Sequence, residues 1–181
     1  LEHLGLVGLL GLSACDLEEQ IVSGVTSSYY ETAAGLEDAV SASYSGLQNL
    51  YGGNERTEVT LNNGTDIWDR GYGGGHTQWN DYTAQLEPNT AYVRELWDHL
   101  YESVNTTNAV IHRAESIETG ISAALKEQRI AEARFLRALY YFHLVRHFGD
   151  VHLTLEETQG VIVEAKRTPK SDIYAQVIIP D

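Results

Sequence analysis

The chain has 181 residues, of which 43% are hydrophobic and 21% charged, and its formal net charge at pH 7 is −14. This length is sufficient for one domain with a sizeable hydrophobic core. The acidic excess argues against nucleic acid or an anionic membrane surface as a partner, because a phosphate backbone requires clustered Lys and Arg side chains. A neutral ligand such as a glycan is compatible with this charge.

Residues 1–15 have the features of a truncated lipoprotein signal peptide. The apolar run at 4–12, LGLVGLLGL, is typical of the hydrophobic region of such a peptide and is too short to span a bilayer as a helix. The residues that follow, Leu-Ser-Ala-Cys ending at Cys15, resemble a bacterial lipobox, in which the cysteine takes the lipid. We therefore expect Cys15 to be the membrane anchor. A buried helix that ends in an ordinary core cysteine is the alternative.

The residues around this cysteine bear on export and on completeness. Asp16, Glu18 and Glu19 are similar to the surface-export signal of Bacteroidetes lipoproteins, which favours a protein that faces outward. A single cysteine excludes an internal disulfide, and no Cys/His array is present to hold a structural metal. The chain has no methionine and ends inside a predicted helix, so we expect a fragment at both ends.

Residues 16–31 are predicted to form an extended tether, because Ser, Thr and β-branched residues dominate them. Thr32 can then cap a first helix at residues 33–51, which ends at the pair Gly52-Gly53. Its apolar residues keep a helical period. They are Leu36, Val40, Tyr44, Leu47 and Tyr51.

The segment from Gly52 to Asn89 changes to Gly, Asn, Asp and Thr interleaved with aromatic residues. Such a long irregular connection is usually functional or disordered. Sugar rings pack their C–H faces on flat aromatic side chains, and their hydroxyls need Asp, Asn and Arg partners, so we predict a carbohydrate site here. Its candidate residues are Asp66, Trp68, Arg70, Trp79, Asn80 and Tyr82. Packing of the aromatic residues into the helical core is the alternative for each of them.

Two further long helices are predicted, at residues 90–116 and at residues 123–148. Ser122 can cap the second of these, and Gly149 allows the backbone conformation that ends it. Its predicted apolar stripe has steps of three and four residues. The stripe consists of Phe135, Leu139, Phe142 and Val145, and it is widened by Leu136, Tyr140 and Leu144.

The C-terminal part is predicted to contain a short extended segment at 151–155 and a last helix at 172–179 with Ser171 as its cap. No catalytic or metal motif is evident. His143 and His147 are four residues apart and could offer two nitrogens to a metal, but the sequence supplies no third ligand and no H-E-x-x-H pattern. No G-x-S-x-G elbow is present, and the glycine run at 71–75 lacks the ending of a phosphate loop.

Three segments resemble one known family. The segment EARFLRALYYFHLVRHFGDVHL, residues 132–153, is similar to the signature helix of the SusD/RagB outer-membrane nutrient-binding lipoproteins, and residues 167–174 match a later R-T-P-x-S-x-x-Y of that family. His152 stands where the family usually has proline. A W-x-x-L-Y-x-x-I-x-x-A-N pattern of the family is matched in the helix at 90–116. The matching residues are Trp97, Leu100, Tyr101, Val104 and Asn108.

The resemblance implies an all-α domain at residues 32–181, built from tetratricopeptide-like helical hairpins with long irregular loops and incomplete at its C-terminal end. It implies that Asn108 is a structural amide satisfied by a neighbouring helix backbone.

The resemblance also implies a lipid-anchored protein on the outer-membrane surface that captures a glycan or another nutrient. Such a protein passes its ligand to a SusC-like TonB-dependent transporter and needs no cofactor, metal or catalysis. A tetratricopeptide-like scaffold that binds a protein partner is the alternative. A glycoside hydrolase fragment is a third hypothesis, in which two of the four carboxylates Asp66, Asp69, Asp81 and Glu87 act on the substrate and a change of Asp66 or Asp81 abolishes cleavage.

Overall fold

The computed structural model describes residues 27–52, 60–69, 76–161 and 164–181. These residues form helices joined by irregular segments, and their only β pairing is an antiparallel bridge between Val151 and Thr168. The helices, in chain order, are α1 (Ala33–Ser43), α2 (Ser45–Tyr51), α3 (Thr77–Asp81), α4 (Ala91–Glu115), α5 (Ala123–Phe148) and α6 (Lys170–Ile173). A 3₁₀ segment at Ser27–Glu31 precedes α1, and a π-helical turn at Tyr174–Ile178 continues α6. The predicted all-α class with helical hairpins is confirmed.

The apolar run at residues 4–12 and Cys15 lie outside the described residues, so the signal peptide and the lipid anchor stay predictions. Along the ranges that the structure does describe, no helix has both the length and the apolar character needed to cross a membrane. The predicted tether differs at its end, because Ser27–Glu31 is a 3₁₀ segment and not an extended chain. Its turn is fixed by the backbone N–H of Thr32, which donates to the carbonyl of Tyr29 at 3.0 Å.

The helices α4 and α5 form the central hairpin, and they pack against each other more extensively than any other pair of described elements. Both helices lie within one residue of their predicted bounds. The cap predicted for α5 is present, because the hydroxyl of Ser122 accepts the backbone N–H of Leu125 at 3.2 Å. Gly149 ends α5 with a φ of 71°, a conformation that few other residues adopt.

The apolar stripe predicted for α5 is buried only in part, at Val145 and at the three residues that widen it. Phe135 is 61% exposed, whereas Leu136, Tyr140 and Leu144 are fully buried. Apolar residues extend so far around this helix that periodicity does not select one face. Polar groups determine which face of α5 is buried. The buried face carries two tyrosine hydroxyls and one guanidinium, and all three form hydrogen bonds in the folded chain.

The single helix predicted at residues 33–51 is broken at Tyr44 into α1 and α2. Its predicted cap is confirmed, since the hydroxyl of Thr32 accepts the N–H of Gly35 at 3.1 Å. At the break, the carbonyl of Ser43 accepts the hydroxyl of Tyr140, and the N–H of Leu47 turns to the carbonyl of Tyr44. A side chain that enters the backbone ladder in this way bends a helix.

The last helix begins earlier than predicted, and Ser171 is not its cap. Pro169 precedes α6, and no side chain of the helix's own end caps it. The N–H of Lys170 instead donates to the carboxylate of Asp150 at 2.9 Å. The N–H at the start of α6 is therefore hydrogen-bonded by a residue that is distant in sequence, and a local cap motif does not predict such a contact.

A buried polar junction attaches the segment after α5 to the central hairpin. The side-chain amide of Asn108 donates to the carbonyls of Thr154 and Glu156, each at 3.1 Å, and its oxygen accepts the guanidinium of Arg137 at 2.9 Å. Arg137 also forms an ion pair with Asp181 at 2.6 Å. The structural role predicted for Asn108 is therefore correct, but its backbone partners belong to an irregular segment and not to a neighbouring helix.

The buried apolar side chains form two clusters. The α1 cluster lies between α1, the end of α4 and the start of α5, and it contains Leu36, Val40, Val110, Ala114, Ile117 and Ala133. The α2 cluster lies between α2, α4, the second half of α5 and α6. It contains Leu50, Leu100, Val104, Leu136, Tyr140, Tyr141, Leu144, Val145, Val151, Ile173 and Val177. Each fully buried leucine contributes about 2 kcal/mol, so the α2 cluster is the larger source of stability.

Candidate functional site

The five predicted site residues that the structure describes do not converge on one site. Arg70 lies outside the described residues, and Tyr82 lines neither of the two cavities described below. An outer cleft of about 350 Å³ is lined by Asp66, Trp68 and Asn80 together with neighbouring loop residues. Trp79 lines a separate groove of about 700 Å³. Because Trp79 and Asn80 are adjacent in α3, this short helix separates the outer cleft from the groove.

The outer cleft presents exposed side chains. Trp68 is 45% exposed, and Ile67 beside it is 89% exposed. The amide of Asn80 donates to the carboxylate of Asp81 at 3.0 Å. The outer cleft therefore offers one aromatic surface with amide and carboxylate groups around it.

The position of α3 depends on close packing against the loop that carries the outer cleft. His76 and Tyr82 flank α3 with φ values of 62° and 51°, which non-glycine residues seldom adopt. The hydroxyl of Tyr82 donates to the carbonyl of Gly64 at 2.9 Å. A Cβ atom at Gly64 would lie 2.7 Å from the carbonyl oxygen of Trp79, so only glycine fits there. This packing fixes Trp79 at the edge of the groove.

The groove is lined by the loop before α4, the first turns of α4, the end of α5 and the segment after it. Its aromatic residues are Trp79, Trp97 and Phe148, and His147 lies beside them. Its polar and charged side chains are Glu87, Asn89, Arg94, Asp150 and Arg167. Flat rings next to charged and amide groups are the combination that a sugar requires.

Trp97 is held rigidly, although 36% of its surface is exposed. Its ring lies 5.0 Å from that of Phe148 in an edge-to-face arrangement and 4.8 Å from that of Tyr101. The hydroxyl of Tyr101 donates to the carbonyl of His152 at 2.8 Å, and burial raises the pKa of Tyr101, so it stays a donor. Trp97 is therefore a preorganised surface, and binding to it costs little ordering entropy.

The far wall of the groove depends on the turn after α5. Asp150 bonds to the start of α6, and the N–H of Thr168 donates to the carbonyl of Val151 at 2.8 Å. These two contacts bring Arg167 to the end of α5, where it joins the groove. On the opposite wall, the indole N–H of Trp79 is buried and has no hydrogen-bond partner among the described residues.

The histidine pair of α5 is engaged with protein groups. The Nε2 atom of His143 lies 2.6 Å from the hydroxyl of Tyr51, and the Nδ1 atom of His147 lies 2.7 Å from the carbonyl oxygen of His143. Burial lowers the pKa of His143 to about 4, so its ring is neutral at pH 7. The described residues contain no group of three or more side chains that could hold a metal ion.

Sequence reasoning missed most of the groove. Trp97 was assigned to a helix face, and Phe148 and Arg167 were read as parts of family motifs. The signal that could have drawn attention to Trp97 is its size, because the large flat ring of an indole can provide a surface on which a ligand packs. No sequence signal brings Arg167 to Trp97, since 70 residues separate them.

Comparison with known proteins identifies the family. A family model described as "Starch-binding associating with outer membrane" matches residues 25–179, and the chain belongs to this SusD-like family. The "SusD-like protein P2" of Formosa agariphila is 31% identical over 183 aligned residues, which cover 96% of this chain and 35% of that protein. A "SusD-like protein" of Bacteroides ovatus is 29% identical, over 87% of this chain and 28% of that protein.

A solved structure shares the fold. The crystal structure of a SusD superfamily protein from Parabacteroides distasonis superposes with a TM-score of 0.65 at 21% identity, over 87% of this chain and 33% of the other. This chain therefore spans about a third of the length of the relatives that it matches. The family resemblance predicted from the signature helix is confirmed.

Proposed function

We propose that this protein captures a glycan in the groove and does not cleave it. The observation that carries the proposal is the packed ring of Trp97, partly exposed in a groove that also holds amide, carboxylate and guanidinium groups. A sugar face packs on the ring, and the polar side chains bind its hydroxyls. The family description supports this reading, because it names starch binding.

The outer cleft is proposed as a second contact for the same ligand. Asp66, Trp68 and Asn80 line it, and Asn80 is adjacent in α3 to Trp79, which lines the groove. A polysaccharide has many identical units, so two weak contacts close together raise the overall affinity through effective concentration. The proposed site thus keeps part of the predicted residue set and adds Trp97 as its main surface.

The cellular setting is also a proposal, which rests on the family and on the sequence around Cys15. We infer that Cys15 carries the lipid that anchors the protein to the outer membrane, facing the outside of the cell. The captured glycan is then passed to a SusC-like TonB-dependent transporter. The family description supports association with the outer membrane.

The test is a binding screen of the purified 181-residue chain against a panel of neutral and charged oligosaccharides by isothermal titration calorimetry. Trp97→Ala removes the proposed stacking surface, and we expect about tenfold weaker binding. Trp68→Ala should have a smaller effect, visible with long ligands. Phe135→Ala is the matched control, because Phe135 is an exposed aromatic residue that lines neither cavity. Circular dichroism confirms that each variant is folded.

Three results would contradict the proposal. The folded chain could bind no glycan, its affinity could be insensitive to Trp97→Ala, or the bound oligosaccharide could be cleaved. Cleavage that is lost with Asp66→Asn or Asp81→Asn would favour the hydrolase hypothesis. The absence of glycan binding, combined with saturable binding of a protein partner, would favour the tetratricopeptide-like scaffold.

A further inference from the structure

Two arginines of the groove carry charges that no described residue neutralises. Arg94 belongs to the start of α4, and Arg167 precedes the bridge between Val151 and Thr168. Both side chains are exposed, and neither guanidinium forms a hydrogen bond or an ion pair with a described residue. They approach the same groove from separate segments of the chain.

This arrangement contrasts with the other charged contacts of the protein. The described ion pairs of arginine with carboxylates are Arg113–Glu157, Arg129–Glu37, Arg129–Glu132 and Arg137–Asp181. The chain has 26 acidic residues and only 12 Lys and Arg residues, so carboxylate partners are abundant. Two unpaired arginines that line one groove are therefore available to bind an anion.

Neither carboxylate of the groove, Glu87 or Asp150, forms an ion pair with these two arginines. Asp150 directs one oxygen to the N–H of Lys170 at 2.9 Å, so it is partly committed to the start of α6. Glu87 lies in the loop before α4 and forms no ion pair with Arg94 or Arg167. A planar guanidinium offers paired donors that match the oxygens of a carboxylate or a sulfate.

Resting on the proposed glycan capture, we propose that the groove selects a sugar unit that bears a carboxylate or a sulfate group. The ring of Trp97 carries the sugar face, and Arg94 and Arg167 bind its anionic substituent. Their positions on two walls of one groove give the site its preference over neutral sugars.

The experiment compares four probes on the 181-residue chain by calorimetry at low salt. They are an oligogalacturonate, the same oligosaccharide as its methyl ester, a sulfated carrageenan oligosaccharide and a neutral maltooligosaccharide. The methyl ester is the matched neutral form of the first probe. The variants are Arg94→Gln and Arg167→Gln, with Arg134→Gln as the control, because Arg134 is also an exposed arginine but lies on α5 away from the groove.

We expect an anionic probe to bind about tenfold more tightly than its neutral counterpart, with about tenfold of affinity lost in each groove variant. Arg134→Gln should bind like the unchanged protein, and added salt should weaken only the anionic probes. The carboxylate and sulfate arms show which of the two groups is preferred.

Other results would overturn the inference. If the galacturonate binds no better than its ester and the carrageenan oligosaccharide no better than the maltooligosaccharide, the anion preference is removed while glycan capture stands. Anionic binding that both groove variants retain would remove it as well. Failure of a folded chain to bind any of the four probes would overturn glycan capture as well.

Discussion

The hydroxyl of Tyr140 donates to the backbone carbonyl of Ser43 at 2.5 Å, across 97 residues of sequence. Both groups are buried, and burial raises the pKa of Tyr140 to about 12, so the hydroxyl keeps its proton. This hydrogen bond takes the carbonyl that a continuous helix would offer to Leu47. One side chain of α5 thus sets the boundary between α1 and α2.

The same contact leaves no space at Gly46. A Cβ atom there would lie 2.3 Å from the hydroxyl of Ser103 and 2.7 Å from that of Tyr140. Alanine in place of glycine would gain about 1 kcal/mol of helix propensity, but overpacking costs about 1–3 kcal/mol, so we expect net destabilisation by Gly46→Ala.

Urea unfolding of Gly46→Ala measures that difference. Ser41→Ala on the exposed side of α1 is the control, and it should change the free energy of unfolding by less than about 0.5 kcal/mol. The double variant Gly46→Ala with Ser103→Ala should recover part of the loss, because it removes the nearest clashing atom. A Gly46→Ala protein more stable than the original would show that α2 does not approach α5 this closely.

Asn108 has no replacement that satisfies all of its partners. Asn108→Ala removes two donors and one acceptor from a buried junction and leaves the guanidinium of Arg137 with fewer contacts. We expect a loss of about 2–4 kcal/mol in the free energy of unfolding, measured with urea. The matched change Asn89→Ala, at an exposed position, should have little effect. Equal losses in the two variants would refute the structural role of Asn108.

His143 should make the protein less stable in mild acid. Its pKa is lowered from 6.5 to about 4, first by burial and then by His147 and Arg146. Below pH 6.5 the unfolded chain therefore binds a proton at His143, whereas the folded chain binds it only near pH 4. The free energy of unfolding falls as a result. The contribution of the neutral His143 ring to the free energy of unfolding is fully present above pH 6.5. Roughly 3 kcal/mol of it is lost as the pH falls from 6.5 to about 4.

The measurement is the free energy of unfolding between pH 4 and pH 7 for the original chain and for His143→Gln. The difference between the two curves should shrink toward acid pH, because the variant has no imidazole to protonate. Tyr51→Phe is the control, since it removes the hydroxyl beside His143 but leaves the ring buried. Curves that stay parallel for His143→Gln would be evidence against a depressed pKa.

The three tryptophans of the chain report directly on the candidate site. Trp68 lines the outer cleft, and Trp79 and Trp97 line the groove, so no indole lies elsewhere. Binding of an oligosaccharide should change the intrinsic tryptophan fluorescence of the protein, and Trp97→Phe should remove most of that change. Trp68→Phe should retain most of it. The opposite ranking would move the main contact to the outer cleft.

Local sequence signals predicted the helices well and their contacts poorly. The caps at Thr32 and Ser122 and the glycine at 149 act within one turn of chain, so the bounds of α1 at its start and of α5 at both ends were predicted correctly. The break at Tyr44 arises from a residue 96 positions away. The apolar periodicity of residues 33–51 carries no information about a contact with a residue so distant in sequence.

The candidate site followed the same rule. The cluster of aromatic and polar residues between residues 66 and 82 was visible as composition, and three of the six candidates predicted from it line the outer cleft. The groove combines α4, the end of α5 and Arg167, which only the folded hairpin and the bridge at Val151 bring together. Sequence therefore gave the chemistry of the site more readily than its location.

The bend at Tyr44 also divides the molecule energetically. The α1 cluster is built largely from valine and alanine, whereas the α2 cluster contains the large tyrosine and leucine side chains, so the α1 end has the lower cost of local opening. Leu96 and Phe148, which line the groove, pack on the α2 cluster. The amides of α1 should therefore exchange with deuterium through openings that leave the groove assembled, and a bound ligand should slow exchange around the α2 cluster first.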